Sequence, residues 1–129
     1  MEQQLISKET AVLAKEKGFN EETYDYFNQN GECETSLEKE YFNKGIHTSE
    51  NIITISCPTQ SLLQKWLREK HRIYIMVYVM EDSDGIIYYE FGLKQVVNWL
   101  SDKSCKPAKF NTYEEALEFG LQKALTFVP

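Results

Sequence analysis

The chain has 129 residues, of which 42% are hydrophobic and 26% are charged. A chain of this length and balance can bury a core of its own, which argues against wholesale disorder. The net charge of −6 argues against a general nucleic-acid-binding protein, because basic side chains dominate the surface of such proteins.

No secretion signal or membrane span is recognisable in the sequence. Residues 1–6 contain no basic side chain, whereas a signal peptide begins with a positively charged segment. The longest apolar run, residues 73–80, is too short to cross a bilayer. The cysteines at 33, 57 and 105 lack the spacing of a zinc site or a disulfide framework. We therefore expect a cytoplasmic protein with reduced thiols, no metal and no cofactor.

The N-terminal part of the chain contains one predicted helix. Ser7 can cap a helix over residues 8–17, and Gly18 can end it. Residues 19–51 are polar and poorly periodic, which predicts a long, flexible connection with one short extended piece at most.

The remainder of the chain alternates between strand and helix patterns. The β-branched run at 52–55 predicts a strand, and Pro58-Thr59 predicts the start of a helix over 59–71. Residues 73–80 and 86–93 are two apolar runs separated by a turn that contains Gly85, a pattern typical of a β-hairpin.

The C-terminal third ends in a well-marked helix. Residues 95–100 fit either a third strand or a short helical turn, and residues 101–109 predict a loop. Thr112 and Glu115 form a capping box at the start of a helix over 112–126. Gly120 lies in the middle of that helix, which indicates a close approach to the sheet.

These elements together predict an α+β fold, with a small antiparallel sheet built on the hairpin and packed against two to three helices. We expect one domain over 1–129, with a polar, flexible part at 1–51 and the main core at 52–129. The element order after residue 59 also occurs in double-stranded-RNA-binding domains, but element order alone does not establish a function.

Three segments of the chain can be compared with other proteins. They are residues 7–19 (SKETAVLAKEKGF), 58–71 (PTQSLLQKWLREKH) and 110–125 (FNTYEEALEFGLQKAL), together about a third of the chain. Residues 58–71 are fairly distinctive, whereas residues 110–125 are in part a generic helix. The three resemble segments of small uncharacterised proteins encoded in gut Bacteroidetes genomes, their prophages and their phages. The resemblance implies a mobile-element or phage context and implies no activity and no catalytic residue.

A cysteine nucleophile at Cys57 is the one catalytic hypothesis that the residues allow. Cys57 precedes a predicted helix, whose dipole could lower the thiol pKa, and His47 and His71 are the two histidines that could act as a base. The alternative, which we favour strongly, is that Cys57 is a small buried residue and that His71 simply closes a helix. A cysteine-dependent enzyme is therefore a remote alternative.

The acidic turn between the hairpin strands does not fit a calcium loop. Asp82 and Asp84 match the third and fifth positions if Gly85 is the sixth, but Met80 and Phe91 then stand where carboxylates are required. The sequence therefore predicts an ordinary turn.

The predicted helix over 59–71 is basic. Lys65, Arg68, Lys70, His71 and Arg72 surround Trp66, and together they could bind phosphate or an acidic partner. The alternative is a solvated helix face with Trp66 in the core, which is the commoner arrangement.

A row of tyrosines lies along the hairpin at Tyr74, Tyr78, Tyr88 and Tyr89. Tyrosine anchors protein interfaces at a low entropic cost, although such a row can also be the covered side of a sheet. We therefore expect a non-enzymatic interaction or regulatory protein of mobile-element or phage origin, with a protein partner and no membrane. The alternative is a nucleic-acid-associated module that uses the basic helix; the sequence leaves the oligomeric state open.

Overall fold

The computed structural model describes residues 4–43, 46–47, 52–95, 98–99 and 109–129. The fold is α+β, as predicted. Its helices are α1 (Lys8–Glu16), α2 (Gln60–His71) and α3 (Tyr113–Leu125), and its strands are β1 (Thr23–Phe27), β2 (Cys33–Glu40), β3 (Ile46–His47), β4 (Ile52–Ile53), β5 (Ile55–Ser56), β6 (Ile73–Glu81), β7 (Ile87–Gln95) and β8 (Asn98–Trp99). None of the described helices is both long enough and apolar enough to cross a membrane.

The chain divides into two compact units, Met1–Leu62 and Leu63–Pro129. The first contains a sheet in the order β2-β1-β5 and the pair β3-β4, and the second contains a sheet in the order β6-β7-β8. All strand pairs are antiparallel. The boundary between the two units falls within α2, between Leu62 and Leu63. The sequence analysis placed the boundary between the polar part and the main core earlier, after residue 51. That the whole chain acts as one domain stays a prediction.

Helix α1 begins and ends where the sequence predicts. The Ser7 hydroxyl accepts a hydrogen bond from the Thr10 amide at 3.3 Å, and Gly18 follows the helix with a φ of +94°. The buried side of α1 is narrow and consists of Thr10, Ala11 and Ala14. These small side chains allow α1 to pack closely on β5.

The prediction that residues 19–51 contain one short extended piece at most is wrong, because strands β1, β2 and β3 lie within this range. Strands β1 and β2 form a hairpin whose turn is held by the Asn28 side chain, which accepts hydrogen bonds from the Asn30 and Glu32 amides at 2.9 and 3.0 Å. Strand β2 is exposed at nearly every position, so it lacks the apolar alternation by which a strand is recognised. Its register also slips, because Thr23 pairs with Glu40 whereas Asp25 pairs with Thr35.

Hydrogen bonds between segments that are far apart in the sequence hold the first unit together. The Asn43 side chain donates to the Phe19 carbonyl and accepts from the Ser56 amide, both at 2.8 Å. At the chain start, the Ile6 amide donates to the Pro58 carbonyl at 3.1 Å, and the Gln60 amide donates to the Gln4 carbonyl at 2.8 Å. Residues 4–6 are therefore tied to the start of α2.

The second unit is built on the predicted hairpin. Strands β6 and β7 pair over their full nine-residue lengths without a bulge. Strand β8 pairs with the end of β7, so within the segment at 95–100 the described residues 95, 98 and 99 are in strands, the first of the two predicted alternatives. The predicted loop at 101–109 lies, except for residue 109, outside the described residues.

Helix α3 crosses the sheet as its central glycine predicts. The Thr112 hydroxyl caps it by accepting from the Glu115 amide at 3.1 Å; the return bond from the Glu115 carboxylate, the other half of the predicted capping box, is absent among the described hydrogen bonds. A Cβ atom on Gly120 would lie 2.9 Å from Ile75 Cγ2 and 3.4 Å from the Phe91 ring. The predicted close approach at Gly120 is confirmed.

Candidate functional site

The register of the β6–β7 hairpin assigns each side chain to one of two faces. Successive residues of a strand alternate between faces, and directly paired residues share one. Ile75 and Phe91 lie on the face that α3 covers, as their distances from Gly120 require. The even-numbered residues of β6 lie on the other side.

That other side, which we call the open sheet face, is rich in aromatic and sulfur-containing side chains. It consists of Tyr74, Met76, Tyr78 and Met80 from β6 and of Tyr88, which pairs with Met80. Tyr74, Tyr78 and Met80 are 42%, 40% and 38% exposed. The structure thus brings together three of the predicted tyrosines.

Tyr89 does not belong to this row. It follows Tyr88 directly in β7, so its side chain projects from the opposite face, where its ring meets Tyr113 edge to face at 6.5 Å. The prediction that all four tyrosines form one surface is wrong for this residue. The alternation of strand side chains, applied to two adjacent tyrosines, could have revealed this from the sequence.

Contacts between neighbouring side chains fix the positions of two tyrosines of the open sheet face. The Tyr78 hydroxyl lies 3.4 Å from Met76 Sδ, and Lys109 Nζ lies 4.6 Å from the centre of the Tyr88 ring. Glu90 and Lys94 share the face because they pair with Tyr78 and Tyr74. Aromatic anchors beside flexible thioethers, with one charge of each sign, are the chemistry of an adaptable protein-binding surface.

Three apolar side chains at the turn end of the hairpin are exposed. Val79, Ile86 and Ile87 are 64%, 61% and 51% exposed. Val79 and Ile87 have odd numbers, so their side chains project from the face opposite Met80 and do not belong to the open sheet face.

The basic helix presents its charges to solvent. The side chains of Lys65, Arg68, Lys70 and Arg72 are exposed. Trp66, by contrast, is only 7% exposed, and its ring meets the His71 ring at 4.7 Å. Any nucleic acid on this surface would therefore contact basic side chains without stacking on the indole.

Arg72 has a backbone conformation that normally favours glycine. It directly follows α2 with a φ of +56°, where a side chain with a Cβ atom costs about 1–2 kcal/mol. We expect Arg72→Gly to raise the free energy of unfolding by about 0.5–1 kcal/mol, because the greater freedom of glycine in the unfolded chain offsets part of the gain. Urea denaturation followed by Trp66 fluorescence measures the change.

Arg72→Ala is the matched control for this substitution, because it removes the guanidinium but keeps the Cβ atom. It should leave the free energy of unfolding within about 0.5 kcal/mol of wild type. Equal stabilisation by both substitutions would show that the side-chain charge, and not the backbone conformation, is responsible.

The two cysteines in the described part of the chain, Cys33 and Cys57, show no sign of activation. Cys57 is 1% exposed, and its thiol donates to the Ile6 carbonyl at 3.6 Å, so it is a small buried residue at the end of β5. Partial burial raises the pKa of the Cys33 thiol; the Cys57 side chain lowers it, and the Asp25 and Glu34 carboxylates raise it. A raised pKa disfavours the nucleophilic thiolate.

The acidic turn is the one that the sequence predicts. The Asp82 carboxylate accepts hydrogen bonds from the Asp84 and Ile86 amides, both at 2.9 Å, and Gly85 has a φ of +79°. The carboxylate thus shapes the turn. Among the described residues, no group of three or more His, Cys, Asp or Glu side chains could hold a metal ion.

Comparison with known proteins gives no relative for the chain. No family model matches it, and no curated protein and no solved structure is detectably similar to it. The functional conclusion therefore depends on the surfaces described above.

Proposed function

We propose that the protein acts without catalysis, by binding a protein partner through the open sheet face. The observation that carries the proposal is the exposure of Tyr74, Tyr78 and Met80 on one face of a regular two-stranded ladder. Exposed aromatic side chains held on a rigid scaffold lose little entropy when they are buried by a partner.

The composition of this face supports a protein ligand over a nucleic acid. Tyrosine and methionine are enriched in protein interfaces, and the two charged members of the face, Glu90 and Lys94, have opposite signs. With Lys109 over the Tyr88 ring the face carries a single net positive charge, so the interaction is expected to depend only weakly on salt.

The test is affinity capture from a Bacteroidetes lysate with the full-length chain as bait. The wild-type bait is compared with the variant Y74S/Y78S/M80S, which retains the core. We expect one protein at near-equal stoichiometry with wild type and a loss of at least about thirtyfold in affinity with the variant, because truncated anchor residues cost about 2 kcal/mol or more.

A matched control removes three exposed apolar side chains from the first unit, in the variant Y24S/L37S/Y41S. This control should capture the partner as wild type does. Equal capture by the open-face variant, or no stoichiometric protein with the wild-type bait, would contradict the proposal.

A second candidate function is phosphate-dependent binding of nucleic acid by α2. The exposure of Lys65, Arg68, Lys70 and Arg72 favours it, because phosphate contacts need accessible cations. The buried Trp66 and the neighbouring Glu69, which is exposed, weaken it. We rank it below protein binding.

Fluorescence anisotropy with labelled single-stranded DNA and double-stranded RNA tests the second candidate. If it is correct, binding at low salt falls steeply as salt rises and is lost in K65E/R68E/R72E. The control K8E/K39E/K109E makes the same change in net charge elsewhere and should still bind. No binding by wild type at about 20 mM salt would contradict this function.

The biological setting belongs to the proposal as well. A phage or mobile-element origin follows from the resemblance of residues 7–19, 58–71 and 110–125 to proteins of those genomes. A cytoplasmic location is supported by the spacing of the cysteines at 33, 57 and 105, which fits no disulfide framework of the kind that secreted proteins use.

A further inference from the structure

Strand β6 is an edge strand of the second sheet. It pairs with β7 on one side, and no described strand pairs with its other side. The pairing with β7 runs from Ile73 to Glu81 without a register shift. The free edge is therefore straight and regular.

The hydrogen bonds of β7 establish which backbone groups of β6 point to this free edge. The Tyr89 amide and carbonyl both bond to Phe110, at 2.8 and 2.9 Å, so they point away from β6. Val79, which pairs with Tyr89, is then in a non-hydrogen-bonded pair of the antiparallel ladder, and its own amide and carbonyl point outward. Because this orientation alternates along the strand, the amides and carbonyls of Val77 and Glu81 also point away from β7, to the free edge.

A side chain of α2 covers the free edge of β6 at Ile75 but not from Val77 to Glu81. The Gln64 amide group donates to the Ile75 carbonyl at 3.1 Å, which shows that Ile75 also points outward and that α2 satisfies its carbonyl. No described group bonds to the outward amides and carbonyls of Val77, Val79 and Glu81. Val79 is also the most exposed of the large apolar side chains of the hairpin.

The edge strands β2 and β6 differ in how well they are protected from pairing with a further strand. Natural edge strands are protected from pairing by charges, proline or bulges. Strand β2, an edge of the first sheet, has such protection in its slipped register and in four charged side chains, namely Glu34, Glu38, Lys39 and Glu40. Strand β6 contains no proline, and Glu81 at its end is its single charged residue.

We propose that the β6 edge pairs with β6 of a second copy of the chain. The two strands run antiparallel about a two-fold axis at Val79, so that Val79 pairs with Val79 of the second copy and Val77 pairs with Glu81. This register uses every outward group from Val77 to Glu81 and forms about six backbone hydrogen bonds.

The side chains are self-complementary in this register. Tyr78 lies opposite Met80 of the second copy, an aromatic–thioether pair, and the β-branched Val79 side chains meet at the axis. Glu81 faces Val77, and the two Glu81 residues are about 13 Å apart along the strands, so like charges do not meet. An arbitrary extended peptide would lack this match of register, side chains and charge.

The two-fold axis is perpendicular to the sheet, so each copy keeps its open sheet face on the same side. Dimerisation thus produces one continuous sheet with a doubled face of tyrosine and methionine. The inference does not depend on the proposed partner, since the backbone groups of Val77, Val79 and Glu81 carry it; Tyr78 and Met80 contribute to both proposals, so the test of dimerisation leaves them unchanged.

The oligomeric state of the full chain tests the proposal. Sedimentation from about 5 to 500 µM should show a monomer–dimer equilibrium for wild type. Val79→Lys should weaken dimerisation at least about tenfold, because it places two like charges in direct cross-strand contact. The control Ile87→Lys introduces the same charge at an exposed position that is away from the edge and should dimerise as wild type does.

Amide exchange gives an independent reading of the interface. The amides of Val77, Val79 and Glu81 should exchange more slowly as protein concentration rises, whereas those of Tyr78 and Met80, which face β7, should not change. A wild-type monomer at 500 µM, dimers that survive Val79→Lys, equal disruption by both lysine substitutions, or concentration-independent exchange at Val79 would each overturn the proposal.

Discussion

Replacing Gly120 with alanine is expected to lower the free energy of unfolding by up to about 2 kcal/mol, although alanine is the better helix former. The new Cβ atom would lie 2.9 Å from Ile75 Cγ2, on a buried β-branched side chain that has little freedom to move. Overpacking of this kind costs about 1–3 kcal/mol, and the helix propensity of alanine returns about 1 kcal/mol. Urea denaturation followed by Trp66 fluorescence measures the difference.

A double-mutant cycle with Ile75 identifies the cause. Ile75→Ala removes the Cγ2 atom, so in that background Gly120→Ala should become neutral or stabilising. Ile75→Val keeps Cγ2, so the penalty should remain. Equal penalties in the two backgrounds would show that the contact between helix and strand is not the origin of the effect.

Asn43→Ala is expected to destabilise the first unit by about 2–4 kcal/mol. The Asn43 side chain satisfies the Phe19 carbonyl and the Ser56 amide, both at 2.8 Å, and both of these residues are buried. Each buried backbone group that loses its partner costs about 1–3 kcal/mol. Thermal unfolding by circular dichroism, with the exchange rate of the Ser56 amide, measures the loss.

Asn20→Ala provides the control for this prediction. Asn20 is exposed, so its substitution should change the free energy of unfolding by no more than about 0.5 kcal/mol. If Asn43→Ala were equally mild, or if the Ser56 amide kept its exchange rate, water would have replaced the side chain and the bridging role would be wrong.

The second unit could be predicted from its sequence because its signals are local. The hairpin has two apolar runs and a glycine turn between them, α3 has its capping threonine, and Gly120 indicated the contact with the sheet. Each signal lies within a few residues of the feature that it determines. The exposure of Val79 and Ile87 was not predictable in this way, because an apolar strand residue looks the same whether or not a helix covers it.

In the first unit α1 was predicted, but the β1–β2 hairpin was not, since its position depends on contacts between distant segments. Strand β2 is polar on both sides, and its place next to β1 depends on side chains such as Asn28 and Glu34, which are ordinary loop residues in a sequence. Asn43 likewise acts only because the fold brings Phe19 and Ser56 to it. Long-range hydrogen bonds of this kind leave no periodic pattern.

The candidate site was predicted in part. Tyr74, Tyr78 and Tyr88 share a face, as expected, because their spacing within each strand and the register of the hairpin agree. Tyr89 and the buried Trp66 did not fit a surface role. The free edge at Val79 follows from hydrogen bonds of β7 on the far side of the sheet, which a sequence does not record.

The bonds between residues 4–6 and residues 58–60 determine when the first unit can fold during synthesis. The pairing of Leu5 with Thr59 and the bond from Gln60 to Gln4 need both ends of the unit to have left the ribosome. Until then β5, the strand on which α1 packs, has not been synthesised. The β1–β2 hairpin also lacks its third strand and is only marginally stable. The N-terminal segment must therefore wait for most of the unit to be translated. The β6–β7 hairpin joins neighbouring residues and needs only α3, which follows it in the chain, for its stability.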